Sequence, residues 1–193
     1  MLDSIFLLME TKKDKKIVEE IEIPEGISVI IGDNKIIAKK NNEEIYRNLN
    51  PKIKINREGN KIILSCRDRK KEKKIFWTII AHIKNIFKGF EKKFKYKLQA
   101  VFVHFPMSIS YDKENRELIV KNFLGEKKDR KIKIIEGVDV KVNKDVIELE
   151  STDIEKAGLM ASKIEKETKI RKRDRRVFQD GIFIVEKPKK SYL

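Results

Sequence analysis

The chain repeats itself, and this constrains its fold more than any other feature. Ile23-Pro24-Glu25-Gly26-Ile27-Ser28-Val29 answers Phe105-Pro106-Met107-Ser108-Ile109-Ser110-Tyr111 at an offset of 82 residues, and at the same offset Ile36-Ile37-Ala38-Lys39 answers Leu118-Ile119-Val120-Lys121. The offset then drifts, as loop insertions make it do. Ile53-Lys54-Ile55-Asn56 resembles Val140-Lys141-Val142-Asn143, and Lys61-Ile62-Ile63-Leu64 resembles Asp145-Val146-Ile147-Glu148. A duplication this long within 193 residues predicts two domains of one architecture, each of roughly 80 residues and near the lower limit for a self-sufficient core.

Periodicity says what is duplicated. Short runs rich in Ile and Val at 27–31, 35–38, 53–55 and 61–66 are bounded by Gly, Asn and Pro, which predicts strands joined by tight turns at Gly32-Asp33-Asn34 and Arg57-Glu58-Gly59-Asn60. Over 73–88 the period changes: Phe76, Ile80, Ile83 and Phe87 fall on one helical face beside Ile79 and Ile86, with Gly89 as the expected stop. The second half repeats the order, with strands expected at 107–111, 117–121, 131–135, 138–142 and 145–149. Thr152-Asp153-Ile154-Glu155 then reads as a capping box opening a helix to about 168 that buries Ile154, Ala157, Ala161, Ile164 and Thr168. Phe94, Tyr96, Leu98 and Ala100 alternate with polar residues as a half-buried strand between the halves, and Gly181–Val185 reads as a final strand. The expected class is α+β: two tandem similar domains, each an antiparallel β-sheet structure packed with one α-helix. The expected limits are an N-terminal extension at 1–20, domains at 21–92 and 93–186, and a tail at 187–193.

The charge is as uneven as the fold pattern is regular. The net charge is +15, yet residues 1–66 carry only +1 and residues 98–168 carry −1; residues 67–97 carry +9 and residues 169–193 carry +6. The first block opens with Arg67, Arg69, Lys70, Lys71, Lys73 and Lys74 and closes with Lys92, Lys93, Lys95 and Lys97; the second is Lys169-Ile170-Arg171-Lys172-Arg173-Asp174-Arg175-Arg176, followed by Lys187, Lys189 and Lys190. Mixed charge, as over Lys12–Glu22, serves solvation. Blocks of one sign repel internally and call for a polyanion, with nucleic acid the default. The second block is Arg-rich, and the guanidinium fork grips phosphate with two hydrogen bonds where Lys offers a point charge.

Other chemistry is thinly represented. A lone Cys66 excludes an internal disulfide or cysteine zinc cluster, the eight glycines form no phosphate-binding loop, and the acidic residues are interleaved with Lys rather than paired. His82 and His104 read as surface or locally bonded histidines, Trp77 as packing beside the helix's apolar face, and Phe178 as core in preference to a base-stacking ring. Asp180-Gly181 reads as a sharp turn that poses the arginine segment. No run nears the roughly 20 apolar residues of a membrane span, and Met1–Met9 lacks the flanks of a signal peptide. No catalytic residue, metal site, cofactor or small-molecule substrate is expected; an enzyme acting on nucleic acid, such as a nuclease or RNA-modifying protein, and a DNA-compacting protein are the alternatives.

Lys166, Ile170, Arg173, Arg176, Phe178, Asp180-Gly181-Ile182-Phe183-Ile184 and Lys187 fall at the spacing of a known C-terminal signature. With Ile23–Ile27, Ala81-His82-Ile83-Lys84-Asn85, Tyr96-Lys97-Leu98, His104-Phe105-Pro106-Met107 and Asn122–Lys127, in that order, the chain resembles the large-subunit ribosomal protein L-six family in its archaeal and eukaryotic form. It departs from the family at Lys166, where Gln is usual, and at Lys39-Lys40-Asn41-Asn42, where Gly-Pro-Lys-Gly is usual. The resemblance implies two tandem domains and a structural, cytoplasmic role in the large ribosomal subunit. It also implies contact with large-subunit rRNA near the sarcin–ricin loop and stalk base, and with neighbouring ribosomal proteins. Lys169, Arg171, Lys172, Arg173, Arg175, Arg176 and Lys187 are the expected rRNA contacts, with Lys92, Lys93, Lys95 and Lys97 reaching a second RNA element.

Overall fold

The computed structural model describes residues 16–188 other than Asp33, Asn42 and Arg175, together with the backbone of Lys190–Ser191. The expected turn at Asp33, the expected contact at Arg175 and residues 1–15 of the expected extension therefore lie outside the described residues. The chain divides into two compact units, Met1–Phe87 and Lys88–Leu193. Sequence pattern sets the junction at 92/93, and compactness sets it inside the first helix.

In the first unit, β1 (Lys16–Glu22), β5 (Lys54–Glu58) and β6 (Lys61–Arg67) form an antiparallel sheet ordered β1-β6-β5. β2 (Ser28–Ile31), β3 (Lys35–Lys40) and β4 (Glu43–Asn48) form a second, ordered β2-β3-β4. The two central strands alternate strictly, β6 burying Ile62, Leu64 and Cys66 and β3 burying Ile36 and Ala38. Helix α1 (Lys70–Glu91) buries Phe76, Ile79, Ile80, Ile83, Ile86 and Phe87 along one stripe.

The second unit repeats this plan and adds to it. β8 (Ser108–Asp112), β9 (Glu117–Lys121) and β10 (Arg130–Lys133) form the counterpart of β2-β3-β4, again with the middle strand in the centre. β7 (Phe94–Val101), β11 (Asp139–Asn143) and β12 (Val146–Ser151) reproduce the β1-β6-β5 pairing as β11-β12-β7. The repeated segments of the sequence occupy matching strands: β3 and β9, β5 and β11, β6 and β12. Helix α2 (Ile154–Glu167) packs across β12, β7 and β13 (Gly181–Lys187), which pairs with the edge of β7 and carries the short β14 (Lys190–Ser191). Its core unites Met160, Ala161 and Ile164 of α2 with Leu98, Ile147, Leu149 and Ile182 of the sheet. The chain is thus α+β, with two tandem similar domains of antiparallel strands, each with one helix.

Four local expectations are corrected. β1 and β4 are strands the sequence pattern does not announce, and Lys16–Glu20, expected within an extension, pair with β6. Gly89 lies inside α1 rather than beyond it: a Cβ there would stand 2.0 Å from the Thr152 carbonyl oxygen, so the glycine serves close approach. The cap of α2 is Asp153, not Thr152; its carboxylate accepts from the Glu155 amide at 2.9 Å, and the Ser151 hydroxyl accepts from the Asp153 amide while donating to Gly137 O at 2.6 Å. Trp77, expected to pack, is 47 % exposed.

Candidate nucleic-acid interface

The arginine-rich segment is the loop between α2 and β13, and the sequence fixes it at both ends. At its start Thr168 ends α2: its hydroxyl donates to Ile164 O at 3.0 Å and accepts from the Ile182 amide of β13 at 3.2 Å. Ile170 is buried beyond it. Lys172 takes positive φ (59°), which reverses the chain, and Asp174 organises the turn that follows. Its carbonyl accepts from the amides of Val177 and Phe178, and its carboxylate accepts from the Arg176 amide (2.9 Å) and guanidinium (3.1 Å). The hydrogen bonds from the Arg176 side chain and amide hold the Asp174 carboxyl below the usual carboxylate range. Lys169, Arg171, Lys172, Arg173 and Arg176 are all exposed, Arg176 at 91 % of its side chain.

The far end is held by a stack that the sequence does not announce. The Arg173 guanidinium lies 4.8 Å over the Phe178 ring, and that ring stacks on His104 at 4.7 Å and 24°. His104 Nδ1 lies 2.9 Å from Asp180 Oδ2, and Asp180 Oδ1 accepts from the amides of Val103 (2.9 Å) and His104 (3.2 Å). A carboxylate only accepts, so Nδ1 carries the proton. Asp180 is 1 % exposed. Burial opposes its ionisation, but the bonds from the His104 ring and the two amides outweigh burial and keep its carboxyl below the ordinary range. The expected turn at Asp180-Gly181 is therefore corrected: Asp180 is a buried anchor, and Gly181 begins β13. His104, read as a local hydrogen-bonding residue, ties the loop after β7 to the arginine segment. Phe178 is half-buried between imidazole and guanidinium. Beside the stack lies a groove of about 730 Å³ lined by Val101, Thr168, Lys169 and Phe178 among others.

The lysines gather elsewhere in the unit. Lys88, Lys92, Lys93, Lys95 and Lys187 line one groove of about 410 Å³, together with Glu91, Phe94 and Glu186. This group is partly neutralised. Lys93 donates to Asp139 at 3.0 Å, and Lys95 pairs with Glu150 at 2.8 Å, whose hydrogen bond lifts the ammonium above its ordinary range and draws the Glu150 carboxyl down. Lys97 is half-buried in β7, opposite Glu148 of β12 and Glu186 of β13. The predicted contacts thus form two groups on one sheet. The arginine loop adjoins the Val101↔Gly181 end of the β7–β13 ladder and the lysines the Phe94–Lys97 end, separated along β7 by about 23 Å at the rise of an antiparallel strand.

Exposed guanidiniums and ammoniums on neighbouring stretches of backbone are suited to holding phosphates. Comparison with known proteins identifies the family. The model of the family described as "Ribosomal protein L6" matches residues 105–181, which span β8 to the start of β13 and include the arginine loop. A protein of Desulfurococcus amylolyticus named large ribosomal subunit protein uL6 is 39 % identical over 175 residues, covering 89 % of this chain and 95 % of its own length. Proteins of the same name from Methanococcus vannielii (40 % over 171 residues; 88 % and 93 % covered) and Staphylothermus marinus (43 % over 177; 88 % and 94 %) are equally similar. With that identity along nearly the whole of both chains, this chain belongs to the ribosomal protein L6 family.

Proposed function

We propose that the protein is a non-enzymatic structural constituent of the large ribosomal subunit that binds large-subunit rRNA through the second unit, with the arginine loop as its principal contact. The observation that carries this reading is the Arg173–Phe178–His104–Asp180 stack, which presents exposed guanidiniums from a loop tied down at Thr168 and Asp180. A preordered cationic loop loses little entropy on meeting phosphate. A-form RNA, read chiefly through backbone and 2′-hydroxyls across its shallow minor groove, suits such a loop. Lys92, Lys93, Lys95, Lys97 and Lys187 supply the second contact, weaker because Asp139 and Glu150 already engage two of them. The rRNA site is the factor-binding region, near the sarcin–ricin loop and the base of the stalk, where neighbouring ribosomal proteins adjoin it in the cytoplasmic particle. No described helix is long and apolar enough to cross a membrane.

Cross-linking of the full chain reconstituted with large-subunit rRNA tests the assignment. Cross-links are expected from 169–176 to RNA in the sarcin–ricin region, with a second set from 92–97. Cross-links that avoid 169–176 overturn it.

A further inference from the structure

The first basic block contains a face that the rRNA contacts of the second unit do not use. On α1, Lys70, Lys74, Trp77, Ala81 and Lys84 recur at intervals of four and three residues and are all exposed. At 100° per residue they occupy one ridge, opposite the stripe of Phe76, Ile79, Ile83 and Ile86. Lys70 and Lys84 stand about 21 Å apart along the axis at 1.5 Å per residue. Lys73 pairs with Asp68 (3.5 Å) and Lys84 with Glu19 (3.7 Å), but neither Lys70 nor Lys74 meets a carboxylate among the described residues.

Trp77 sits in the middle of this ridge. Its indole meets the buried Phe76 edge-on, with centroids 5.6 Å apart at 75°, and stays 47 % exposed. One turn further on the ridge carries Ala81, which leaves the neighbouring space low. An exposed tryptophan meant for a protein partner sits among other apolar anchors; here its ridge neighbours are lysines and one alanine. An occupant that complements both features must carry repeated negative charge and an open π face. Nucleotides do, and only unpaired ones can offer the face, because duplex bases are already stacked and the A-form major groove is too narrow for a helix.

We propose that this face of α1 is a binding site for unpaired RNA, with Lys70, Lys74 and Lys84 on phosphates spread along the strand and Trp77 stacked on a base. It goes beyond the reading of the second unit and uses none of its residues.

Trp77 is the only tryptophan in the chain, so its own emission reports the site. The full chain is titrated with a 12-nucleotide oligouridine at low salt, following indole emission and, with a labelled oligonucleotide, anisotropy. Quenching is expected, and it should persist when Arg171, Arg173 and Arg176 are replaced by Ala. Lys70→Ala with Lys74→Ala should raise the quenching midpoint about tenfold. By anisotropy of these chains carrying the arginine replacements, Trp77→Ala should weaken binding about five- to a hundredfold, with Trp77→Phe restoring most of it. Indole emission that stays constant through the titration overturns the proposal, as does a quenching midpoint indifferent to Lys70 and Lys74; either result leaves the arginine-loop assignment standing.

Discussion

Replacing Asp180 isolates the physical basis of the arginine loop. Its carboxylate accepts three hydrogen bonds, from the amides of Val103 and His104 and from the His104 ring, at 2.9, 3.2 and 2.9 Å, in a site only 1 % exposed. Asp180→Ala leaves all three donors without that acceptor, each at a cost of about 1–3 kcal/mol; since partial relaxation lets water reach some of them, the net loss is about 3–5 kcal/mol. Asp180→Asn keeps an acceptor for the amides and loses mainly the charge, about 1–2 kcal/mol. The assay is urea unfolding followed by far-ultraviolet circular dichroism. With a denaturant slope of about 2 kcal/mol/M, Asp180→Ala moves the transition of the second unit down by roughly 2 M. The pH dependence has a defined sign. The folded carboxyl titrates below its unfolded value of about 3.9, so its stabilisation is complete above that value and is lost as pH falls through the lower, folded one. Asp180→Asn removes this part of the acid limb. An alanine variant within about 1 kcal/mol of the parent, with an unchanged acid limb, refutes the reasoning.

Three further outcomes follow from the same geometry. Gly89→Ala places a methyl group 2.0 Å from the Thr152 carbonyl oxygen, so the backbone must shift; a loss of about 3 kcal/mol or more, read by thermal melting, is expected. Phe178→Ala removes the ring between Arg173 and His104 and should weaken rRNA-fragment binding severalfold by filter binding, with Phe178→Tyr restoring it. Lys93→Ala with Lys95→Ala should reduce that binding less than Arg171→Ala with Arg173→Ala, because Asp139 and Glu150 already engage the two lysines; the reverse ranking contradicts the division of labour.

The duplicated core was legible because its inner strands must alternate. β3 and β9, like β6 and β12, bury every second side chain, and that demand writes a period of two into Ile36–Ala38 and Leu118–Val120. β1 and β4 were not, because a sheet edge draws its strength from backbone pairing and tolerates charge. β1 buries only Ile21, leaves Val18 55 % exposed and bonds Glu20 to Lys61 across the pair. The cationic blocks were legible from sign alone, since a run such as Arg171-Lys172-Arg173 states its charge wherever it folds. What holds the loop was not. His104 and Asp180 lie 76 residues apart in sequence, and nothing local to either forecasts that they meet. Gly89 misled for a related reason: a glycine near a helix end fits both a C-terminal stop and a close approach, and only the position of Thr152 decides between them. The exposure of Trp77, by contrast, follows from the helical period, which sets it on the ridge opposite Phe76, Ile79, Ile83 and Ile86.

The most direct measurement is the salt dependence of binding to a large-subunit rRNA fragment carrying the sarcin–ricin loop, compared between the parent and the Arg171→Ala, Arg173→Ala, Arg176→Ala triple variant. Each phosphate neutralised contributes about 0.7–0.9 to the slope of log affinity against log salt. The triple variant should therefore bind more weakly, with a slope shallower by about 2. Equal affinities and parallel slopes would contradict the claim that this loop neutralises rRNA phosphates.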